Sequence, residues 1–253
     1  VSLVAVIGDG ATTTAVGLAG AWPAAERCVI AEFDPTGGCL SAWLDVPTSP
    51  GLAELASSSS GGSWLEIEAA FQASRSGLEV LVAPHRAVEA AAVINVATPM
   101  VLPVLSALES PVVVADGGRS SGSLPPLAVQ AGVVVVSHLQ HPGSAAAATV
   151  GIERVADTCE LLRRRALPHV VALVGDRPYA ADEVARFVGA DAVIAVADDP
   201  WAASVLAGRA GSAMRFRRSA LMRSMHSLAA AVSAQLRQSR QELAWEPAEE
   251  GLP

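Results

Sequence analysis

Seven apolar runs, at residues 2–7, 28–32, 78–82, 112–115, 133–136, 170–174 and 192–196, limit what this chain can become. Each is four to six residues long, rich in Val and apolar at nearly every position. Strands with one face in water alternate in polarity; strands covered on both faces of a parallel sheet do not. Between the runs lie stretches with helical spacing, at 13–22, 51–57, 63–73, 88–94, 101–108, 124–131, 144–165, 181–188 and 200–210. Strand then helix, repeated, predicts a doubly wound α/β sheet, mostly parallel and seven-stranded, with helices on both faces and right-handed crossovers. Ligands of such sheets bind at the carboxyl ends of the strands.

At 253 residues the chain can bury one large core. The expected organisation is an α/β domain over 1–218, an amphipathic helix over 219–244 packed on it, and a frayed tail over 245–253. The helix carries Leu221, Met222, Met225, Leu228, Val232 and Leu236 on one stripe. Such a stripe packs on its own domain; a partner helix, or a membrane surface touched peripherally, would use the same side chains. Ser57 to Gly62 reads as a surface loop. No apolar run reaches the length of a membrane span. Residues 1–7 lack the basic start and cleavage site of a signal peptide. Cys28, Cys39 and Cys159 are odd in number and unpatterned in spacing, and read as reduced, structural and cytoplasmic. The net charge of −8 opposes indiscriminate binding to nucleic acid. Two basic clusters, Arg163-Arg164-Arg165 and Arg215-Phe216-Arg217-Arg218, leave room for a local acidic partner, although solvated helix ends and loops carry such clusters too.

The first run leads into Gly8-Asp9-Gly10-Ala11-Thr12-Thr13-Thr14, and a helical pattern follows. Strand, glycine-rich turn, Thr-Thr and helix is the layout of a phosphate-binding loop, in which backbone N–H groups and a helix N-terminus hold the phosphates. Gly8, Gly10, Ala11, Thr12 and Thr13 are its candidate nucleotide-binding positions. In the standard loop a lysine just before the Ser/Thr grips the β- and γ-phosphates. This chain contains no lysine: all 17 basic residues are arginine, and Ala11 stands at that position. A compositional bias explains missing surface lysines. It does not excuse the loop, because Arg and Lys are not interchangeable there. Asp9 puts a negative charge inside the cradle, and a like charge within ~4 Å of a phosphate costs several kcal/mol at an intermediate dielectric.

Two more segments place acids at strand ends, Glu32-Phe33-Asp34-Pro35 and Asp116-Gly117-Gly118. In nucleotide-dependent switches such acids hold Mg2+, directly or through water, and orient the attacking water, while a loop Thr adds an oxygen ligand. Thr12, Asp34 and Asp116 are therefore the candidate Mg2+ group, and Asp34 and Asp116 the candidate catalytic acids.

With these segments the chain resembles the MinD/ParA family of deviant P-loop ATPases, which position division sites, plasmids, chromosomes and pili. The run from Thr12 to Ala19 looks like the start of the family's first helix. Glu32-Phe33-Asp34-Pro35 is similar to its Asp-x-Asp-Pro segment, and Asp116-Gly117-Gly118 to its Walker B end. Val174-Gly175-Asp176-Arg177 falls where the family often has an adenine-reading Asn, which implies Asp176 and Arg177 near a base. Asp198-Asp199-Pro200 resembles the late loop that closes over that base. The resemblance covers about residues 2–210. It implies ATP or ADP with Mg2+, a homodimer, and protein partners. The departures are as informative. The family's loop carries two lysines; Val6 or Ile7 stands near the first position and Ala11 at the second. The early lysine reaches across the dimer, so its loss weakens nucleotide-driven dimerisation. The pattern is most similar to the pilus-associated CpaE/TadZ type and its actinobacterial relatives, where this loop is often degenerate. Arg119, directly after Asp116-Gly117-Gly118, would lie near the phosphates and could replace the missing cation.

Other motifs carry less. His138 and His141 are spaced as a pair but lack further ligands for a metal. The Ser120-Ser121-Gly122-Ser123 run has no partnered His and Asp. Gly8-Asp9-Gly10 lacks the third glycine of a dinucleotide fingerprint, though Glu32 could mimic its ribose acid. Two functional readings stand. One is a regulator or scaffold with little or no ATP hydrolysis, acting through protein partners. The other is a slow Mg-ATP-dependent dimerisation switch built on Thr12, Asp34, Asp116 and an arginine. Carboxylate-activating ligases of the same fold need the lysine as well.

Overall fold

The computed structural model describes residues 2–58, 62–119, 122–140, 143–190 and 192–244. The chain opens with β1 (Leu3–Gly8), α1 (Ala11–Gly20) and β2 (Cys28–Glu32). Three short helices follow, α2 (Leu40–Leu44), α3 (Leu52–Ser57) and α4 (Trp64–Ala69), then β3 (Gln72–Ala73) and β4 (Glu79–Leu81). Helix α5 (Ala87–Ala107) leads to β5 (Val112–Asp116), α6 (Pro126–Gln130), β6 (Val133–Leu139), α7 (Ala145–Arg164), β7 (His169–Val174), α8 (Ala181–Val188) and β8 (Ala192–Val196). Helices α9 (Pro200–Leu206), α10 (Ala213–Arg217) and α11 (Ala220–Ala244) complete it. The strands form one sheet in the order β3-β4-β2-β5-β1-β6-β7-β8, parallel except for the β3–β4 pair.

The Val-rich runs behave as their composition requires. Along β1, Leu3, Ala5 and Ile7 enter the core under α3, α5, α6, α7 and α8, while Val4 and Val6 enter the core under α1, α9 and α11. Both faces of the central strands are dry, which is why these runs do not alternate. Local signals start several helices. Ser63 caps α4, its hydroxyl accepting from Glu66 N–H while Glu66 accepts Ser63 N–H at 3.0 Å. Asp199 Oδ1 accepts Ala202 N–H at 3.0 Å at the start of α9, with Pro200 in the first turn. Gly189, at φ 60, ends α8 in the left-handed conformation.

The structure differs from the expectations in four places. The sheet has eight strands, not seven. The helix expected over 63–73 stops at Ala69, and β3 replaces its end. Gln72 is drawn out of helix because its Nε2 donates to the carbonyls of Pro47 (2.9 Å) and Pro50 (2.6 Å) while its backbone pairs with β4. The helices expected at 88–94 and 101–108 are one helix, α5, which runs through Pro99 and Pro103. Both prolines and Asn95 sit on its exposed face, so the carbonyls of Asn95 and Pro99 that lose a backbone donor open to water. In length and composition α5 could cross a membrane, contrary to the expectation that nothing could. Here one of its faces, Ala90, Ala97, Val101, Leu102 and Leu105, packs on the core. The stripe on α11, by contrast, is spent inside the protein, against its own domain. Leu221, Met222, Met225, Leu228, Val232 and Leu236 are all buried, against α1 and strands β6 to β8, so the stripe offers no apolar face to a membrane. Residues 59–61 of the expected surface loop and the tail 245–253 lie outside the described residues.

Candidate functional site

The sheet register brings the first loop and the acids together. Strand β5 runs between β1 and β2, with Val6 against Asp116 on one side and Glu32 against Asp116 on the other. Gly117 N–H donates to the Val6 carbonyl at 2.8 Å and Gly8 N–H to the Gly118 carbonyl at 2.9 Å. The turn after Asp116 is thereby laced to the end of β1, at the carboxyl edge where such sheets hold their ligands.

The connection from β1 to α1 is only Asp9 and Gly10. Gly10, at φ 76, starts α1 with no side-chain cap. Gly8, at φ 107, is pressed against β6, and a Cβ there would run into the Ser137 carbonyl. Ser137 pairs with Gly8 in the register and is buried. Its hydroxyl donates to the Asp9 carbonyl at 2.8 Å and, with that proton committed, accepts from the buried Thr14 hydroxyl at 2.9 Å. The turn is folded onto β6 and tied down by the protein's own side chains. Ala11 is 3% exposed and belongs to the core on the α1 side. Arg119 does reach the turn, but its Nε lies 3.2 Å from Asp9 Oδ1. The candidate replacement cation therefore faces a neighbouring acid. With the two side chains 81% and 41% exposed, the pair is weak, and its main effect is to cancel the charge of Asp9.

Asp116 and Glu32 are buried on the α1 side, and Asp34 is half-buried. Asp116 Oδ1 accepts Gly118 N–H at 3.0 Å, whereas Oδ2 has no hydrogen-bond partner in its buried surroundings. Burial pushes the Asp116 carboxyl up to about 7; the Thr12 hydroxyl and Gly118 N–H pull against this, and the charges of Glu32 and Asp34 add to it. Glu32 is used structurally. Its Oε1 accepts Cys39 N–H (2.6 Å) and Leu40 N–H (2.9 Å), and its Oε2 accepts Ala83 N–H (2.9 Å). Burial raises its carboxyl, those three donors oppose, and Asp34 adds. Asp34 Oδ1 accepts the backbone N–H (2.8 Å) and hydroxyl (2.7 Å) of Thr36. Gly118, at φ 63, sits directly on the Asp34 carboxyl and leaves no space for a Cβ. The Cys39 thiol is pushed up to about 12 by burial and then by Glu32 and Asp116, with the Thr12 hydroxyl opposing.

The residues fit one half of a Mg-nucleotide site. An unpartnered buried oxygen on Asp116, close to the Thr12 hydroxyl, has the chemistry of an acid that faces a metal-bound water. The phosphate half fits poorly: the turn has two residues, its Asp9 carbonyl is tied to Ser137, Ala11 stands where a cation is needed, and Arg119 is matched by Asp9, although the N-terminus of α1 carries no side-chain cap. Among the described residues, no three His, Cys, Asp or Glu side chains converge as a ready-made metal group. The cavity beside the turn, lined by Asp9, Arg119, Ser137, Arg154 and Thr158 among others, holds about 210 Å3, below the ~300 Å3 at which small-ligand pockets begin.

Asp176 and Arg177 are exposed in the loop after β7, two strands along from β1. Gln140 holds that loop. Its Nε2 donates to the carbonyls of Gly175 (2.8 Å) and Tyr179 (2.9 Å), and its Oε1 accepts Tyr179 N–H at 3.0 Å. His138 is a buried ring packed under Gly151, where a Cβ would lie 2.5 Å from its Cε1. His141, Ser120 and Ser121 lie outside the described residues. Ser137 and Gln140 are the residues that sequence reasoning missed. Their signal is a Ser and a Gln closing an all-Val run, where a buried polar side chain needs partners.

No family model matches the sequence, and no curated protein matches it. Solved structures do match its fold. A ParA family ATPase from Chlorobium tepidum TLS superposes with a TM-score of 0.67 at 15% identity, over 90% of this chain and 97% of that one. The septum site-determining protein MinD of Pyrococcus horikoshii OT3, solved with Mg-ADP, gives 0.64 at 13% identity over 98% of each chain. The MinC:MinD cell division complex of Aquifex aeolicus gives 0.67 at 10% identity, over 92% and 96%. The chain thus has the MinD/ParA-like P-loop fold.

Proposed function

We propose that this chain is a spatial or assembly regulator on a MinD/ParA-like fold that binds nucleotide weakly or not at all, does not hydrolyse it, and acts through protein partners as a homodimer. One observation carries the reading: the turn from β1 to α1 is two residues long and closed onto Ser137. Phosphoryl transfer needs the charge developing on the transferred group to be neutralised by positioned donors and cations. Here Ala11 is walled into the core and Asp9 holds Arg119. The fold is shared with a MinD solved together with MinC, which makes a protein partner the natural kind, although fold by itself does not assign function. The degenerate turn favours a branch in which this loop has decayed, as in the pilus-associated CpaE/TadZ type.

The second reading, a slow Mg-ATP-dependent switch, draws on the unpartnered Asp116 Oδ2 beside Thr12 and on the uncapped N-terminus of α1. Titration calorimetry with ATP, ADP and GTP, with and without Mg2+, separates the two, together with a phosphate-release assay. No binding tighter than the millimolar range and no release above background are expected. Steady phosphate release that disappears in Asp116→Ala would replace the regulator with the switch.

A further inference from the structure

Between Trp201 and Gln241 the chain has seven arginines and not one Asp or Glu, so the rest of it sets ten arginines against all 25 acids. Five of the seven crowd one corner. Ala197 N–H donates to Ser224 Oγ at 3.0 Å, which fixes the first turns of α11 at the carboxyl end of β8. The loop after α9, then α10, then those first turns, build the corner beyond that edge. Residues 207–215 are exposed throughout, as are Arg217, Arg218 and Arg223. Among the described residues, Arg209, Arg215, Arg217, Arg218 and Arg223 have no carboxylate within ion-pair distance. The other arginine cluster differs, since Arg163 and Arg164 both pair with Glu160.

Apolar surface is set into this charge. Met214 is 66% exposed, in the middle of Ala213-Met214-Arg215-Phe216-Arg217-Arg218. Arg215 lies over the Trp201 ring at 4.1 Å, and Phe216 is half-buried behind it. Arg215 covers a face of the Trp201 ring and Phe216 is half-buried, so neither is set out for stacking a base. Exposed Asp198 and the α9 cap Asp199 adjoin the corner, so its charge is predominantly positive; a guanidinium-rich surface with a protruding thioether fits an anionic bilayer, where the cations meet lipid phosphates and the apolar tip enters the headgroup layer. We propose that the corner formed by Arg209, α10 and Arg223 is a docking surface for anionic lipid membranes, independent of the stripe on α11 that the core consumes.

Flotation of the full chain with phosphatidylcholine vesicles, with and without 30% (roughly) phosphatidylserine, tests this at low and at ~300 mM salt. Expected is binding only to the anionic vesicles, weakened by salt. Each arginine removed should lower the partition coefficient roughly fivefold, the value of about 1 kcal/mol per basic residue near such a surface. Arg217→Ala with Arg218→Ala should therefore lose roughly 25-fold, while Arg163→Ala with Arg164→Ala changes nothing. An unchanged melting temperature for the first pair shows that it is folded. Equal binding to both vesicle types, or no binding to either, overturns the proposal. So does a gel shift of duplex DNA that Arg217→Ala with Arg218→Ala abolishes while vesicles do not bind, which would make the corner a nucleic-acid surface.

Discussion

Replacing Asp116 by Asn should change stability in opposite directions at low and at high pH. The Asp116 carboxyl is raised from 3.8 to about 7, chiefly by burial. Below pH 4 it is neutral in the folded and the unfolded chain and costs nothing. Between about 4 and 7 the unfolded chain gives up the proton that the folded chain keeps, so stability falls as pH rises and levels off above 7. A shift of about three units corresponds to roughly 4 kcal/mol. Asn cannot ionise and keeps an acceptor for Gly118 N–H. Its amide, in the place of the unpartnered Oδ2, goes unpaired at a cost of about 1–3 kcal/mol. The variant is then less stable than the parent near pH 4 and more stable near pH 8.5, by roughly 1–3 kcal/mol each way. At ~2 °C per kcal/mol for a chain of this size, the difference in melting temperature swings by about 8 °C. Circular dichroism melts from pH 4 to 8.5 measure it. Glu32 is raised in the same direction but is present in both proteins, so it largely cancels. A difference that stays constant across this range refutes the argument, because Asp116 would then ionise alike in both states.

Ser137→Ala removes the hydroxyl that joins Asp9 to Thr14 and leaves buried groups unpaired; urea unfolding should show a loss of about 1–3 kcal/mol with no change in slope. Gly118→Ala forces a Cβ into the Asp34 carboxyl at a left-handed φ, and should cost about 2 kcal/mol or more by the same measurement. Arg119→Ala breaks only a solvated ion pair, so its melting temperature should stay within about 2 °C of the parent, a loss under about 1 kcal/mol; a larger fall would mean that Arg119 has a buried role.

The strands were legible because burial on both faces writes itself into composition. The runs at 28–32 and 192–196 match β2 and β8 to the residue. What escaped was set by distant contacts. Nothing near Gln72 says that its side chain will reach Pro47 and Pro50, and nothing within α5 says that Pro99 and Pro103 will face water. The site shows the same division. Asp34, Asp116 and the 8–14 segment could be placed at one edge from the strand order alone. The length of the turn could not, because β1 continues to Gly8 only through its pairing with Ser137, more than a hundred residues away. That pairing shortens the loop, buries Ala11 next to it, and sets Asp9 where Arg119 meets it.

The closed turn also bears on how such a protein would be controlled in a cell. A ligand stabilises its bound state in proportion to the logarithm of its concentration over the dissociation constant, so a protein with an open site reports on supply. Where Ala11 stands in place of a cation and Asp9 cancels Arg119, an anionic ligand gains little from the turn. The conformation would be the same in starved and well-fed cells. Copy number, and the ratio of this chain to whatever it assembles with, would then be the quantity that regulation acts on.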